Sequence, residues 1–280
     1  MKSIVKVFLI INILVLSACE RMITDVDIDP GRKKLVVHSY LYPGMDTVKV
    51  MLTSSLLLYS STELCQGPSN NEVDDAQIVI RNKNIEYPLT YNDSIKQYIS
   101  TELEIKKGET YNLYVKASEG EELFASCTVP GENPPDIEIL SIQSDTYGGK
   151  IINFRFRDIN GQGHYYRICG VYKYFYAPEP ESFHLYSIYM DKGEEFVTDI
   201  NKDGEYFIYK TNWIYLDEEP NPVTLFLALT DIHYYNYHRS VFNFDGENPF
   251  SEPSPVYSNI EGGLGVFAAF NGSTIEVDLE

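Results

Sequence analysis

Oxygen-bearing side chains at alternate positions, closed by a glycine, can wrap a calcium ion. Asp199, Asn201, Asp203 and Gly204 in "DINKDG" have that spacing. A calcium loop takes a bidentate glutamate at its twelfth position, and here that position is Lys210, whose charge opposes the ion. The preferred reading is a polar turn between strands, with Asp199, Asn201 and Asp203 kept as weak metal candidates. "DINGQG", 158–163, reads as the same turn chemistry. The five histidines, His38, His164, His184, His233 and His238, form no HExxH motif, and no CxxC is present to hold zinc. His233 and His238 are five apart and fall on different faces of a helix; His164 and His184 sit on strands that can neighbour one another. No GxSxG elbow supplies a nucleophile. Acidic pairs such as Glu194-Glu195 and Asp217-Glu218-Glu219 read as solvated faces in a chain of net charge −19. Neither a catalytic residue nor a cofactor is expected.

A different chemistry is written near the start. Lys2 and Lys6 precede an apolar block, Val7 to Leu16, interrupted only by Asn12. That block is shorter than the roughly 20 residues a membrane-crossing helix needs. A basic start, a short apolar middle and small residues before a cut describe a secretory signal. Leu16-Ser17-Ala18-Cys19 resembles the bacterial lipobox, in which the cysteine sulfur takes a diacylglycerol and the freed amine a third chain. Each buried methylene contributes about 0.8 kcal/mol, so two or more chains hold firmly where one holds marginally. Cys19 is the expected lipidation site, with residues 1–18 a signal peptide and 19–31 a tether.

Removing that signal takes away two lysines and no acids, which moves the formal charge from −19 to −21. Such a chain is unsuited to nucleic acid, whose phosphates are held by Lys and Arg. It is equally unsuited to anionic lipid by charge, which leaves the acyl chains as the membrane contact. Three further cysteines, Cys65, Cys127 and Cys169, leave at least one unpaired in an oxidising compartment. Cys65 and Cys127 are the candidate disulfide. Against it, Cys127 alternates with Leu123, Ala125 and Val129, the inward pattern of a core thiol.

The elements that position these residues read as strands. Tyr occurs 23 times and Trp once, a balance that suits pleated, half-buried surfaces. Segments 33–41, 46–53, 76–82, 85–90, 96–101, 110–117 and 122–130 are short, of strand composition and bounded by turn residues. Seven such strands predict an immunoglobulin-like β-sandwich over 32–130. Residues 54–75 read as a loop with room for a short helix at "SSLLLYSS". "PGENPPD" then marks a linker at 131–136. After it, 150–158, 164–176, 182–190, 205–210, 223–230, 265–270 and 273–279 read as strands. Asp231 is a helix N-cap, and Tyr234, Tyr237, His238 and Val241 recur at helical spacing. The fold class is all-β, with a second β-sandwich or barrel-like domain over 137–280 carrying one helix near 231–243. Tyr166, Tyr172, Tyr174 and Tyr176 share one face of a strand. They serve either as an aromatic binding face for a glycan or peptide, or as inter-sheet core, and the core reading is preferred.

"GHYYRI" after "FRFRDING", "ALTDIHYYNYHRS" and "NPFSEPSPVYSNIEGGLGVFAAF" together resemble the Bacteroidota outer-membrane lipoproteins of domain-of-unknown-function family four-two-four-nine. "KLVVHSYLYPG" and "GETYNLYV" fit its front half. The resemblance implies an outer-membrane location and a TonB-dependent receptor as partner, in accessory work for nutrient capture or envelope assembly. It assigns no catalytic residue. In its most specific segment, Pro249, Pro253 and Pro255 hold the chain extended, and Gly262, Gly263 and Gly265 allow close backbone approach. The expectation is a lipid-anchored, non-enzymatic binding or accessory component of the cell envelope. A structural or adhesive envelope protein is the alternative, and an extracellular hydrolase is third.

Overall fold

Strands follow wherever side chains alternate between a buried and an open face. In the computed structural model, which describes residues 33–55, 71–175, 183–191, 193, 195–215, 222–244 and 255–279, the first seven are β1 (Leu35–Leu41), β2 (Val48–Ser54), β3 (Gln77–Asn82), β4 (Ile85–Asn92), β5 (Gln97–Ser100), β6 (Thr110–Lys116) and β7 (Glu122–Thr128). The Lys83-Asn84 turn between β3 and β4 places Lys83 at a φ of 53°. The described residues fall within one compact unit, Lys33–Leu56 with Pro68–Glu280. The predicted loop helix at "SSLLLYSS" lies largely outside the described residues.

Eight strands follow: β8 (Glu138–Ser144), β9 (Lys150–Arg157), β10 (Tyr165–Phe175), β11 (Phe183–Ile188), β12 (Phe196–Thr198), β13 (Tyr206–Lys210), β14 (Val223–Thr230) and β15 (Leu264–Val277). One helix, α1 (Ile232–Phe242), joins β14 to the segment before β15. Twelve strands make one sheet, in the order β11-β10-β14-β15-β1-β2-β5-β4-β3-β6-β7 with β12 on the side of β10. The other three form a separate sheet, β13-β9-β8. The fold is all-β and sandwich-like, as expected.

Two cores result. Val37, Leu41, Val50, Ile80, Tyr111, Leu113 and Leu123 fill the first, inside β1 to β7. A bridge between Phe124 and Glu261 brings β7 back toward the start of β15. Ile152, Phe154 and Phe156 of β9 face Ile168, Leu225 and Leu227 across the second. Burying each such side chain contributes about 1.5–3 kcal/mol. The crossing at 130–136 has no helix or strand, and Asn271 Nδ2 donates to the Glu132 carbonyl at 2.7 Å to fasten it.

β15 belongs to both cores. Its 14 residues pair parallel with β1 and then antiparallel with β14. On one face Phe267 and Ala269 enter the first core, while Ile275 and Val277 pack in the second. Thus Ile260, Phe267 and Ala269, from the range expected for the second domain, complete the first core. Asn271-Gly272, expected to separate a strand over 265–270 from one over 273–279, instead runs through as part of a single strand. Its Gly272 lies flat under the Phe226 ring, where an added Cβ would meet the ring at 2.4 Å.

Candidate functional site

α1 forms where the sequence places its cap: Asp231 Oδ1 accepts from the Tyr234 backbone N–H at 2.8 Å. Burial pushes the Asp231 carboxyl up to about 7, even though backbone donors oppose the shift. The helix lays Tyr234 and Tyr235 against the sheet face opposite the two cores. Val266, Ala268 and Phe270 of β15 form its floor, with Tyr40 of β1 and Phe196 of β12 beside them.

Polar groups are threaded through this aromatic layer. Arg167 Nη1 donates to the Tyr234 hydroxyl at 2.6 Å, and its guanidinium stands 5.5 Å from the Phe196 ring centre. The His38 Nε2 and Tyr237 hydroxyl are 2.7 Å apart. His238 packs against Tyr234 at 4.3 Å, Tyr40 at 5.2 Å and Phe196 at 6.2 Å between ring centres. Burial, then the positive charge of Arg167 and the neighbouring His38, brings His238 down to about 4. Burial also lowers His38 and raises Glu195, the latter against the pull of Arg167. His38 Nδ1, His238 Nε2 and Arg167 Nε are buried with no hydrogen-bond partner. The cluster is a neutral-imidazole and guanidinium layer with hydrogen-bonding capacity left over.

His38 and Tyr40 also line a cleft of about 530 Å³ on the outer side of β1 and β2, with Tyr42, Asp46, Lys49 and Met51 among its other walls. Tyr42 stacks on Phe270 at 5.1 Å, so an aromatic plate at the cleft continues into the floor under α1. A mixed lining of aromatic, thioether and charged side chains can hold a polar ligand through a few directed contacts. A second groove crosses β3, β6 and β7, between Arg81, Asn112, Phe124 and Glu261.

The sequence-expected residues scatter. Cys19, Cys65 and Tyr176 lie outside the described residues. Cys127 is a buried free thiol and Cys169 a partly buried one, and burial pushes both up, away from the reactive thiolate. Tyr166 is in the second core, its hydroxyl donating to Asp158 Oδ1 at 2.6 Å; burial and this bond push it up. Tyr172 is half-buried and stacks on Tyr186 at 5.4 Å, while the backbone of Tyr174 pairs with that of His184. Asp199 and Asp203 turn to different partners: Asp199 Oδ2 accepts from the His164 N–H at 3.0 Å, and Asp203 Oδ1 from the Gly161 N–H at 2.8 Å. Asn201 occupies the turn with a φ of 62°. His233 and His238 do part: His233 Nδ1 meets the Tyr257 hydroxyl at 2.7 Å, away from the His238 cluster.

Sequence reasoning misses Arg167 and counts His38 only as a histidine outside any motif; it reads Glu195 as part of a solvated face, whereas Glu195 is buried, at 8% exposure. The available signal was Arg167 itself, a charge inside the otherwise apolar and aromatic "HYYRICGVY". The most specific C-terminal segment works as a clasp. Asn259 Nδ2 donates to the Phe267 carbonyl at 2.8 Å and its Oδ1 accepts from the Phe267 N–H at 3.0 Å. Gly265, at a φ of 104°, lets β15 approach the Val37 carbonyl so closely that a Cβ would stand 2.0 Å from it.

The family model described as Domain of unknown function (DUF4249) matches residues 23–276. No curated protein matches the chain.

Proposed function

The chain belongs to the family Domain of unknown function (DUF4249), and from that premise we propose that it is a lipid-anchored cell-envelope protein that binds rather than transforms its ligand. Its place is the outer membrane, held through Cys19, and its work is accessory to nutrient uptake beside a TonB-dependent receptor. The observation that carries the binding reading is the cleft of about 530 Å³ lined by His38, Tyr40, Tyr42, Asp46, Lys49 and Met51. Its aromatic plate suits the face of a sugar ring or a peptide side chain, and the charged groups of Asp46 and Lys49 with the amide of Gln97 suit the polar edges. Two contacts hold α1: Arg167 donates to the Tyr234 hydroxyl, and His38, itself in the cleft wall, meets the Tyr237 hydroxyl.

Affinity purification through a C-terminal tag, from gently solubilised membranes, tests the partner. Recovery of a TonB-dependent receptor at near-equal amount supports the accessory role, and recovery of the chain alone contradicts it. Binding to the cleft is tested by screening soluble glycans and peptides against wild type and Tyr42→Ala with Lys49→Glu. A ligand that binds both equally does not use this cleft.

A structural or adhesive envelope protein is the second reading. It draws on the outer face of β13, where Ile208 is 70% exposed and Tyr206 44%. The guanidinium of Arg155 lies 4.2 Å from the Tyr206 ring centre, so this face is mixed rather than a plain apolar patch. The binding reading therefore stands first.

A further inference from the structure

The two Asp-Ile-Asn turns, 158–163 and 199–204, are 41 residues apart in sequence and meet at one end of the second core. Gly204 N–H donates to Asp158 Oδ2 at 2.9 Å, Gly161 N–H to Asp203 Oδ1 at 2.8 Å, and His164 N–H to Asp199 Oδ2 at 3.0 Å. The Tyr166 hydroxyl holds Asp158 Oδ1 at 2.6 Å. Each carboxylate oxygen so engaged keeps a second lone pair. The side chains of Asp158, Asp199 and His164 are 0%, 2% and 15% exposed.

One atom in this arrangement lacks an explanation. His164 Nδ1 is buried without a hydrogen-bond partner, and it faces two acceptors, Asp199 Oδ2 at 3.3 Å and Asp158 Oδ1 at 3.8 Å. If Nδ1 is unprotonated, three lone pairs point at each other out of contact with water. If it carries a proton, that proton makes no well-formed hydrogen bond to either oxygen. Charge points the same way. Among the described residues, His164 is the basic group set against these carboxylates, and it can offset one negative charge of two. Burying the remainder without a counter-charge is costly. A divalent cation answers both problems, because it accepts the imidazole lone pair and neutralises two carboxylates.

We propose that Asp158, His164 and Asp199 hold a divalent metal ion that pins the 158–164 and 199–204 turns together. One donor atom from each of the three lies within 4.8 Å of the other two. Donors about 2.0–2.2 Å from an ion stand roughly 3 Å apart when adjacent, so small side-chain movements close the shell. One imidazole with two carboxylates suits zinc or manganese better than magnesium or calcium. The Tyr166 and Gly204 donors fix the direction of Asp158, as partners of metal-bound carboxylates do. The ligands come from the end of β9, the start of β10 and the end of β12, so the ion is a structural pin for the second sandwich, independent of tether and cleft.

The test uses the full-length chain in detergent, with a tag free of histidine, stripped with EDTA and dialysed against zinc, manganese, calcium or magnesium. Wild type is expected to take up about one zinc or manganese ion per chain. At a hundredfold excess over Kd its Tm is expected to rise by about 5–10 °C. Asp199→Asn and His164→Gln are expected to bind at least about tenfold more weakly. Asp203→Asn, in the same turn but outside the donor set, is expected to bind as wild type does. Metal content by elemental analysis reads the result even where a variant is less stable. The assignment is overturned if wild type takes up none of the four ions, if His164→Gln binds as tightly as wild type, or if Asp203→Asn loses the ion as fully as Asp199→Asn.

Discussion

The Nε2 atom of His38 lies 2.7 Å from the hydroxyl of Tyr237, a contact across 199 residues that ties β1 to α1. The other ring nitrogen of His38 has no partner, so this bond is what orients the imidazole between helix and cleft. Tyr237→Phe keeps the ring and removes the bond. The expected loss is about 1–2 kcal/mol in urea unfolding, with an unchanged m-value. A loss below a few tenths would show that His38 finds another partner.

Asp231 makes the helix cap depend on pH in an unusual direction. Its folded value of about 7 exceeds the ordinary 3.8, so between those limits the folded chain holds a proton that the unfolded chain has released. Stability contributed by this group is therefore full below pH 3.8 and lost as pH rises toward 7. Asn also caps helices and does not titrate. The wild type minus Asp231→Asn stability difference is expected to fall between pH 4 and 7 and to level off above. A flat difference across that range would contradict it.

His238 acts with the opposite slope. Its folded value of about 4 lies below the ordinary 6.5, so between these limits the unfolded chain binds the extra proton. This contribution is full above pH 6.5 and lost as pH falls toward 4. His238→Phe fills a similar space among Tyr40, Tyr234 and Phe196. The wild type minus variant difference is expected to decline on acidification from pH 7 to 4.5, measured by chemical unfolding at each pH. Direct titration of the ring by NMR is expected to show it neutral at pH 6.

The clasp of β15 onto β1 depends on a missing side chain. Gly265→Ala places a Cβ on the Val37 carbonyl in a left-handed conformation, and is expected to lose about 4 kcal/mol or more, or not to fold. Gly44→Ala is the control: it has a φ of 82° but nothing within 4 Å, so only backbone strain of about 1–2 kcal/mol is expected. Equal losses in thermal unfolding would remove close packing as the cause.

Much of the fold is legible in the residues alone. Strand β9 shows itself because Ile152, Phe154 and Phe156 alternate with Asn153, Arg155 and Arg157, and α1 because Asp231 caps a run with Tyr234, Tyr237 and His238 at helical spacing. β8 escapes notice: its register shifts between Ile139 and Ser141, which breaks the period-2 pattern. The continuity of β15 is hidden because Asn271-Gly272-Ser273 has turn composition, and only the Phe226 ring explains a flat glycine there. Local spacing reads Asp199 with Asn201 and Asp203. Its actual neighbours, Asp158 and His164, come from the end of β9 and the start of β10, and only tertiary packing brings them near. The helix-side cluster is invisible for a like reason, since His38, Arg167 and His238 come from three separate elements.

Anchoring through Cys19 is tested most directly by expressing wild type and Cys19→Ser in the native cell with a labelled fatty acid. Wild type is expected to carry the label, to have lost residues 1–18 and to fractionate with the outer membrane. The variant is expected to carry no label and to leave the membrane fraction. A Cys19→Ser chain that stays with the membrane, or a wild type that takes no label, would contradict a lipid-tethered envelope protein.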